Sequence, residues 1–277
     1  MKYYKLHLIR HGLTQGNLDG LYIGSGSDLP LCAEGRAQLK TLKKDFAYPQ
    51  VPLVFTSPML RATETAEILF PGVKQIELQD LREMAFGKFE GQPLQKLVRD
   101  PEFAQWMDPT SRTVPAGAED RQQFFNRTSA MLMKMFEYML RTHTEEAACV
   151  THGGVIMNML SQHALPFRKP EEWMTDPGAG YSVRLDAEMW MRDHLAEAYD
   201  VVPHGYLDGM EEQDGCPVAE KPFPWGEGGA LARRMRGKCP AIAPSSVTFG
   251  DSFPRGGSHT GGYPVRFTIP QTAKSAA

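Results

Sequence analysis

Cysteine is scarce in this sequence, and the thiols lie far apart. The four cysteines, Cys32, Cys149, Cys216 and Cys239, show none of the close spacings that mark zinc sites. This usage of cysteine predicts a reduced compartment, and we expect the protein to be cytoplasmic.

A strong charge of either sign and long apolar runs are absent as well. The 277 residues carry a formal net charge of -3, which gives no electrostatic case for binding nucleic acid or an anionic membrane. No apolar run is long enough to cross a bilayer, and Met1-Lys2 leads directly into a strand pattern without a secretory leader. With 42% hydrophobic and 23% charged residues, the composition predicts a soluble globular protein.

Glycine and proline are unevenly distributed along the chain. Residues 204–277 contain 12 Gly and 8 Pro and show no sustained helical or strand period. Such a composition is typical of disordered segments. We therefore predict a folded domain over residues 1–203 and a disordered or loosely packed tail over 204–277 that supplies no catalytic residue.

Two predicted strands end in a histidine followed by glycine. Residues 4–9 predict a buried strand, and Arg10-His11-Gly12 follows it directly. Residues 147–151 predict another buried strand, which leads into His152-Gly153-Gly154. Because ligands of open α/β sheets bind beyond the carboxyl ends of strands, these histidines and Arg10 lie where chemistry is expected.

Helical and strand patterns alternate along the rest of the predicted domain. The other predicted elements are helices at about 34–46, 58–69, 118–141 and 155–160, short helices within 93–115, and strands at 51–57, 73–78, 181–185 and 190–199. Ser57 and Pro58 predict the N-cap and the first residue of the second helix. The long helix carries a stripe that we interpret as core packing, formed by Phe124, Thr128, Met131, Met135 and Met139. Residues 93–141 stand between two predicted strands, so we predict that they form a lid over the site.

Two further charged residues each have a functional and an ordinary interpretation. Arg61 is near the N-terminus of a predicted helix, where a cation opposes the helix dipole at a cost of about 0.3–1 kcal/mol. A bound anion would offset this cost, and so would pairing of Arg61 with Glu64 or Glu67; both interpretations stay open. Glu83 stands beside apolar residues that would raise the pKa of its carboxyl group by desolvation, although most lone loop glutamates are solvated.

Arg10, His11, Arg61 and His152 together predict a pocket for a dianion, of which phosphate is the commonest in biology. Zinc held by His11, His152 and Glu83 is a competing interpretation, but two nearby guanidinium groups would repel a dication. An imidazole nitrogen can attack a bound phosphoryl group and divide hydrolysis into two steps. Glu83 would then protonate the leaving alkoxide and activate the attacking water.

Four motifs occur in the order found in the histidine phosphatase superfamily, also called phosphoglycerate mutase-like, and the chain resembles that family over residues 5–203. The motifs are Arg10-His11-Gly12 with Thr14 and Asn17, the segment Ser57–Ala66, the segment Leu81–Gly91 around Glu83, and Thr151-His152-Gly153-Gly154. Pro115-Ala116-Gly117 and Arg127 also resemble the segment before the final helix of the family.

The resemblance implies a role for each matching residue. His11 would be the phosphorylated nucleophile and Glu83 the proton donor. The phosphate-binding residues would be Arg10, Asn17, Arg61 and His152. The resemblance also implies an α/β fold, a three-layer α/β/α sandwich with a mostly parallel central sheet, and a reaction without a metal or other cofactor.

Two positions depart from the family pattern. Cys32 stands where a threonine often caps the next helix, which puts that cap in doubt. Ala118 replaces a glutamate that often follows the glycine at position 117, with Glu119 next to it.

The branch of the superfamily decides the reaction. The interval between Glu83 and His152 is compact compared with that of the sugar-phosphate mutases, which favours the phosphatase branch. We predict hydrolysis of a small phosphomonoester, selected by the predicted lid. The alternatives are a 2,3-bisphosphoglycerate-dependent phosphoglycerate mutase and, from a different class, a phosphate-sensing or scaffold protein.

Overall fold

The computed structural model describes residues 3–108 and 110–206. The strands are β1 (Tyr3–Arg10), β2 (Leu53–Thr56), β3 (Lys74–Glu77), β4 (Glu146–Thr151), β5 (Ala164–Leu165), β6 (Gly180–Asp186) and β7 (Ala196–Val202). The α-helices are α1 (Gln15–Leu18), α2 (Ala33–Asp45), α3 (Leu60–Leu69), α4 (Leu94–Leu97), α5 (Pro101–Met107), α6 (Arg121–Thr142), α7 (Gly153–His163) and α8 (Ala187–Asp193). Short 3₁₀ helices span Gln79–Leu81, Gly87–Phe89 and Pro170–Trp173.

In the described part of the chain the strands form one seven-stranded sheet in the order β3-β2-β4-β1-β6-β7-β5. Neighbours are parallel except for β1 with β6 and β6 with β7, so the predicted mostly parallel sheet is confirmed. The central strands β1 and β4 are paired so that Arg10 lies opposite Thr151. This register brings the residues that follow both strands to the same edge of the sheet.

Both faces of the sheet are buried, because successive side chains of a strand point to opposite sides. Leu8 of β1 and Cys149 of β4 join the core beneath α6 and α7, whereas Ile9 and Val150 join the core beneath α2 and α3. Burial also raises the pKa of the Cys149 thiol, as expected for a small core residue. The predicted three-layer α/β/α sandwich is therefore confirmed.

The long helix α6 packs its apolar stripe into the core, as predicted. The predicted stripe residues Phe124, Thr128, Met131, Met135 and Met139 are all buried. Phe103 and Trp106 of α5 are buried as well and pack against the rings of Tyr22 and Phe89. The segment predicted as a lid thus ends in a helix of the sandwich, and its role as a lid stays a prediction.

The predicted start of the second helix is wrong. The helix expected to begin at Ser57-Pro58 begins at Leu60, with Met59 as N-cap. The Ser57 hydroxyl accepts from the Met59 N–H at 3.4 Å and lies 2.8 Å from Nε2 of His152, so it binds the N-cap residue and not an N–H of the helix itself.

The strand predicted over residues 190–199 is helical in its first part. Asp186 caps α8 by accepting a hydrogen bond from the Met189 N–H, and α8 continues to Asp193. Trp190 is buried against Phe136, with 5.6 Å between the ring centroids. The strand β7 therefore begins at Ala196.

Packing continues beyond Pro203. The His204 N–H donates to the Ala47 carbonyl, and the buried Tyr206 ring packs against Phe46. The rest of the tail predicted over 204–277 lies outside the described residues. No helix within residues 3–108 and 110–206 is long and apolar enough to cross a membrane.

Cys32 caps helix α2 with its sulfur atom. Its Sγ accepts from the Gly35 N–H at 3.3 Å and donates to the Leu13 carbonyl at 3.4 Å. Burial raises the pKa of this thiol, which keeps the donating proton in place. The cap that was in doubt is therefore made, although sulfur is a weak acceptor.

Replacing this sulfur by oxygen should strengthen the cap. We expect Cys32→Ser to raise the free energy of unfolding by roughly 0.5 kcal/mol and Cys32→Ala to lower it by about 0.5–1 kcal/mol. Urea denaturation followed by circular dichroism measures both. An alanine variant as stable as the wild type would show that the sulfur contributes no cap.

Candidate active site

The two predicted catalytic histidines meet at the carboxyl ends of β1 and β4. The His11 N–H donates to the Thr151 carbonyl at 2.9 Å, which extends the pairing of the strands by one bond. The rings of His11 and His152 are fully buried, and their centroids lie 5.1 Å apart. The sheet register therefore brings together two imidazoles that are far apart in the sequence.

The position of the ring proton on His11 follows from one contact. Its Nδ1 lies 2.6 Å from the carbonyl oxygen of Gly12. A carbonyl oxygen only accepts, so Nδ1 carries the hydrogen and Nε2 of the neutral ring keeps its lone pair. This lone pair is what a nucleophilic imidazole needs.

Thr65 holds the Gly12 peptide in place. Its Oγ1 accepts from the Gly12 N–H at 2.9 Å and donates to the Arg61 carbonyl at 2.6 Å. Thr65 is fully buried on α3, one turn after Arg61. Sequence reasoning did not assign Thr65 a role; the available signal was a threonine on the same helix face as Arg61.

His152 is positioned between a strand end and a helix start. Its Nε2 lies 2.8 Å from Oγ of Ser57, the residue that follows β2. Gly153 and Gly154 then begin α7, whose N-terminal N–H groups and dipole favour a negative charge nearby.

Both predicted arginines are buried and bind loop carbonyls. Arg61 donates to the carbonyl oxygens of Gly24 and Ser27 at 3.0 and 2.9 Å, which fixes the loop after α1. Arg10 donates to the Thr175 carbonyl at 2.8 Å, which fixes the loop before β6. Both guanidinium groups are thus held by main-chain oxygens, and Nε of Arg10 lies close to Gly153, the residue that follows His152.

Glu64, one of the two carboxylates that were alternative partners for Arg61, forms an ion pair with Arg36 at 2.8 Å. Its Oε2 also accepts from the Leu31 N–H at 2.8 Å. The Glu64 carboxylate is therefore engaged with α2 and the segment before it.

Glu83 is a buried residue of the site, so the solvated-loop interpretation is wrong. It is 1% exposed. Its Oε1 accepts from its neighbour Met84 N–H, and its Oε2 accepts from the Gly154 N–H, both at 2.9 Å. A Cβ atom on Gly154 would collide with Oε1 of Glu83, so only glycine lets this carboxyl group approach α7.

Asn17 is buried in the short helix α1, which follows β1. Its Oδ1 accepts from both the N–H and the hydroxyl group of Thr14 at 2.9 Å, and these bonds fix the plane of its amide. Its predicted contact with phosphate stays a prediction.

Taken together, the site combines two imidazoles, two guanidinium groups, a helix N-terminus and a buried carboxyl group. Guanidinium forks and helix N–H groups match the oxygens of a tetrahedral anion. Among residues 3–108 and 110–206, no three histidine, cysteine, aspartate or glutamate side chains are grouped in a way that would hold a metal ion.

Removing the Thr65 hydroxyl should loosen the His11 loop. We expect Thr65→Val to lower the free energy of unfolding by about 1–3 kcal/mol, because the Gly12 N–H loses its buried acceptor. Urea denaturation measures the stability, and ¹⁵N NMR of the histidine rings reports whether His11 keeps its Nδ1–H tautomer. Thr63→Val, on the same helix, is the control and should change the stability by under about 0.5 kcal/mol. Equal effects at both positions would contradict a specific role of Thr65.

The chain is similar to known proteins in both sequence and fold. Adenosylcobalamin/alpha-ribazole phosphatase of Salmonella typhimurium is 29% identical over 200 residues, which cover 70% of this chain and 92% of that protein. A solved structure described as a putative alpha-ribazole-5'-P phosphatase from Escherichia coli shares the fold, with a TM-score of 0.61, 24% identity, and coverage of 71% of this chain and 94% of that one. A Thermus thermophilus structure described as a phosphoglycerate mutase is 32% identical, with a TM-score of 0.51, and the match covers 66% of this chain and 93% of that one.

The family itself is shown by its sequence model. The model of the histidine phosphatase superfamily (branch 1) matches residues 6–197, which is more than half of the chain and includes every site residue described above. The protein therefore belongs to the histidine phosphatase superfamily.

Proposed function

We propose that the protein hydrolyses a small phosphomonoester through a phosphohistidine on Nε2 of His11, without a metal ion. The observation that carries this proposal is the 2.6 Å contact between His11 Nδ1 and the Gly12 carbonyl. It presents the other ring nitrogen as a nucleophile in a pocket lined by buried cationic groups.

In the first step Arg10, Arg61, His152 and Asn17 hold the phosphoryl oxygens. The lone pair of His11 Nε2 attacks phosphorus, and the bond from phosphorus to the ester oxygen breaks. Glu83, as the acid, gives its proton to that oxygen, and the alcohol leaves. The guanidinium groups stabilise the charge on the phosphoryl oxygens during transfer.

In the second step water attacks the phosphohistidine. The Glu83 carboxylate now accepts a proton from the water as the new P–O bond forms and the P–N bond breaks. Inorganic phosphate leaves, His11 returns to its neutral form, and Glu83 is protonated again. The same carboxyl group therefore serves both steps.

The named relatives support a small phosphorylated metabolite as the substrate. The Salmonella typhimurium relative is named as an adenosylcobalamin/alpha-ribazole phosphatase. The second candidate function is the mutase reaction, in which a substrate hydroxyl rather than water accepts the phosphoryl group. The similarity to the Thermus thermophilus structure described as a phosphoglycerate mutase favours it. A phosphate-sensing or scaffold protein would have no need of a nucleophilic histidine beside a buried carboxyl group.

The test is hydrolysis of 4-nitrophenyl phosphate in excess EDTA. We expect turnover by the wild type, and a loss of at least about 10³-fold in His11→Ala, because the nucleophile is removed. The matched control is His143→Asn, since His143 is exposed at the end of α6 in a left-handed conformation that asparagine also adopts. Turnover that survives in His11→Ala, or that requires a metal, would contradict the mechanism.

A second assay separates the two candidate reactions. The protein is given 3-phosphoglycerate with 2,3-bisphosphoglycerate as primer, and both inorganic phosphate and 2-phosphoglycerate are measured. A hydrolase releases phosphate; formation of 2-phosphoglycerate faster than phosphate would favour the mutase.

A further inference from the structure

Arg127 of α6 binds the main chain around Glu83. The Arg127 guanidinium group donates to the carbonyl oxygens of Asp80 and Arg82 at 2.6 and 2.7 Å, and to that of Glu83 itself at 3.1 Å. One side chain thus binds the main chain at Glu83, at the residue before it and at Asp80. Arg127 therefore helps to fix the direction in which the Glu83 segment leaves the 3₁₀ helix at 79–81.

Arg127 is itself fixed in orientation. Its Nε and Nη2 bind both carboxylate oxygens of Glu119 at 2.6 and 2.8 Å, and its guanidinium plane lies 4.8 Å from the centre of the Phe124 ring. The bidentate geometry needs the planar fork of arginine, which lysine does not provide. The family pattern often has a glutamate at the position that Ala118 occupies here. In this chain the next residue, Glu119, forms the ion pair with Arg127.

The segment that carries Glu119 also binds the loop that follows Glu83. The Glu119 N–H donates to the Ala85 carbonyl at 2.9 Å, and the Lys88 N–H donates to the Ala116 carbonyl at 3.0 Å. The Glu83 loop is thus fixed on one side by Arg127 and on the other by this backbone pairing. The Glu83 carboxyl group, in contrast, binds the Gly154 N–H at the N-terminus of α7.

We propose that Arg127 is a positioning residue for proton transfer by Glu83. It does not contact the substrate; it fixes the peptide carbonyls of Arg82 and Glu83, and so the place from which the Glu83 proton reaches the ester oxygen. This inference rests on the proposed function, because it concerns the step in which the P–O bond breaks and the alcohol leaves with the proton of Glu83.

The consequence is a dependence on the leaving group. An alkyl phosphate releases a strongly basic alkoxide and needs the proton of Glu83, whereas 4-nitrophenolate is stable enough to leave without it. The value of kcat/KM reports the steps up to release of the alcohol. A badly placed Glu83 should therefore lower kcat/KM for the alkyl phosphate. The value of kcat/KM for the aryl phosphate should stay nearly unchanged.

The experiment measures kcat/KM for glycerol 2-phosphate and for 4-nitrophenyl phosphate in Arg127→Lys. We expect the alkyl phosphate value to fall roughly 10–100-fold and the aryl phosphate value to change by less than about threefold. The matched control is Arg121→Lys, since Arg121 also lies on α6 and donates to main-chain carbonyls, those of Trp106 and Asp108, outside the Glu83 loop. The control should leave the ratio of the two values unchanged.

A double-variant cycle tests whether Arg127 acts through Glu83. In a Glu83→Gln background the proton donor is gone, so Arg127→Lys should cause no further change in the alkyl-to-aryl ratio. If Arg127 merely stabilised the fold, Arg127→Lys would lower kcat/KM equally for both substrates, with or without the Glu83→Gln substitution. Equal losses for both substrates, or a full additional loss in the Glu83→Gln background, would overturn the proposal.

Glu119→Gln keeps the test possible if Arg127→Lys does not fold, as judged by circular dichroism. It retains the size of the side chain and removes the charge that orients the guanidinium group, and we expect a smaller shift of the ratio in the same direction. Failure of the proposed function has a different signature: the wild type would hydrolyse neither substrate, or Glu83→Gln would leave the ratio of the wild type unchanged.

Discussion

The parallel pairing of β1 with β4 is the constraint on which the site depends. Their register puts Arg10 beside Thr151, so His11 and His152 follow neighbouring strands and meet at one edge of the sheet. A shift of one residue would turn the apolar side chains of β1 to the opposite faces and would separate the two rings. Because both faces of these strands are buried, the hydrophobic core and the geometry of the site are specified by the same pairing.

Main-chain atoms do most of the positioning in this site. Carbonyl oxygens of Gly12, Gly24 and Thr175 hold His11, Arg61 and Arg10, and the N–H groups of Met84 and Gly154 hold Glu83. These groups are distant in the sequence; most lie on loops, and Gly154 lies in the first turn of α7. Such contacts preorganise the charged groups before a ligand arrives, which is how a buried polar site lowers the cost of stabilising developing charge.

Much of this arrangement could be predicted from the sequence, because its signals are local. A buried strand that ends at Arg10-His11-Gly12, and another that ends at His152-Gly153-Gly154, place two histidines by strand topology alone. Glu83 remained ambiguous, because its burial depends on Gly154, which is far away in the chain. Thr65 and the contacts of Arg127 could not be predicted at all, since they join loops and helices whose proximity only the folded chain defines. The helix predicted to start at Ser57 starts at Leu60, and the Ser57 hydroxyl binds both the Met59 N–H and the distant His152. The strand predicted over residues 190–199 is wrong in its first part, where the Asp186 cap starts a helix that continues to Asp193.

The aromatic cluster of Tyr22, Phe86, Phe89, Phe103 and Trp106 has a consequence for how this protein can evolve. It joins the loop after α1, the turn after Glu83 and the short helix α5 in one set of ring contacts. The same helix exposes Ala104 and Gln105 on its other side. Substitutions on the buried face of α5 therefore disturb these ring contacts, whereas substitutions at the exposed Ala104 and Gln105 do not. A single helical turn thus separates the residues that must be retained from those that are open to change.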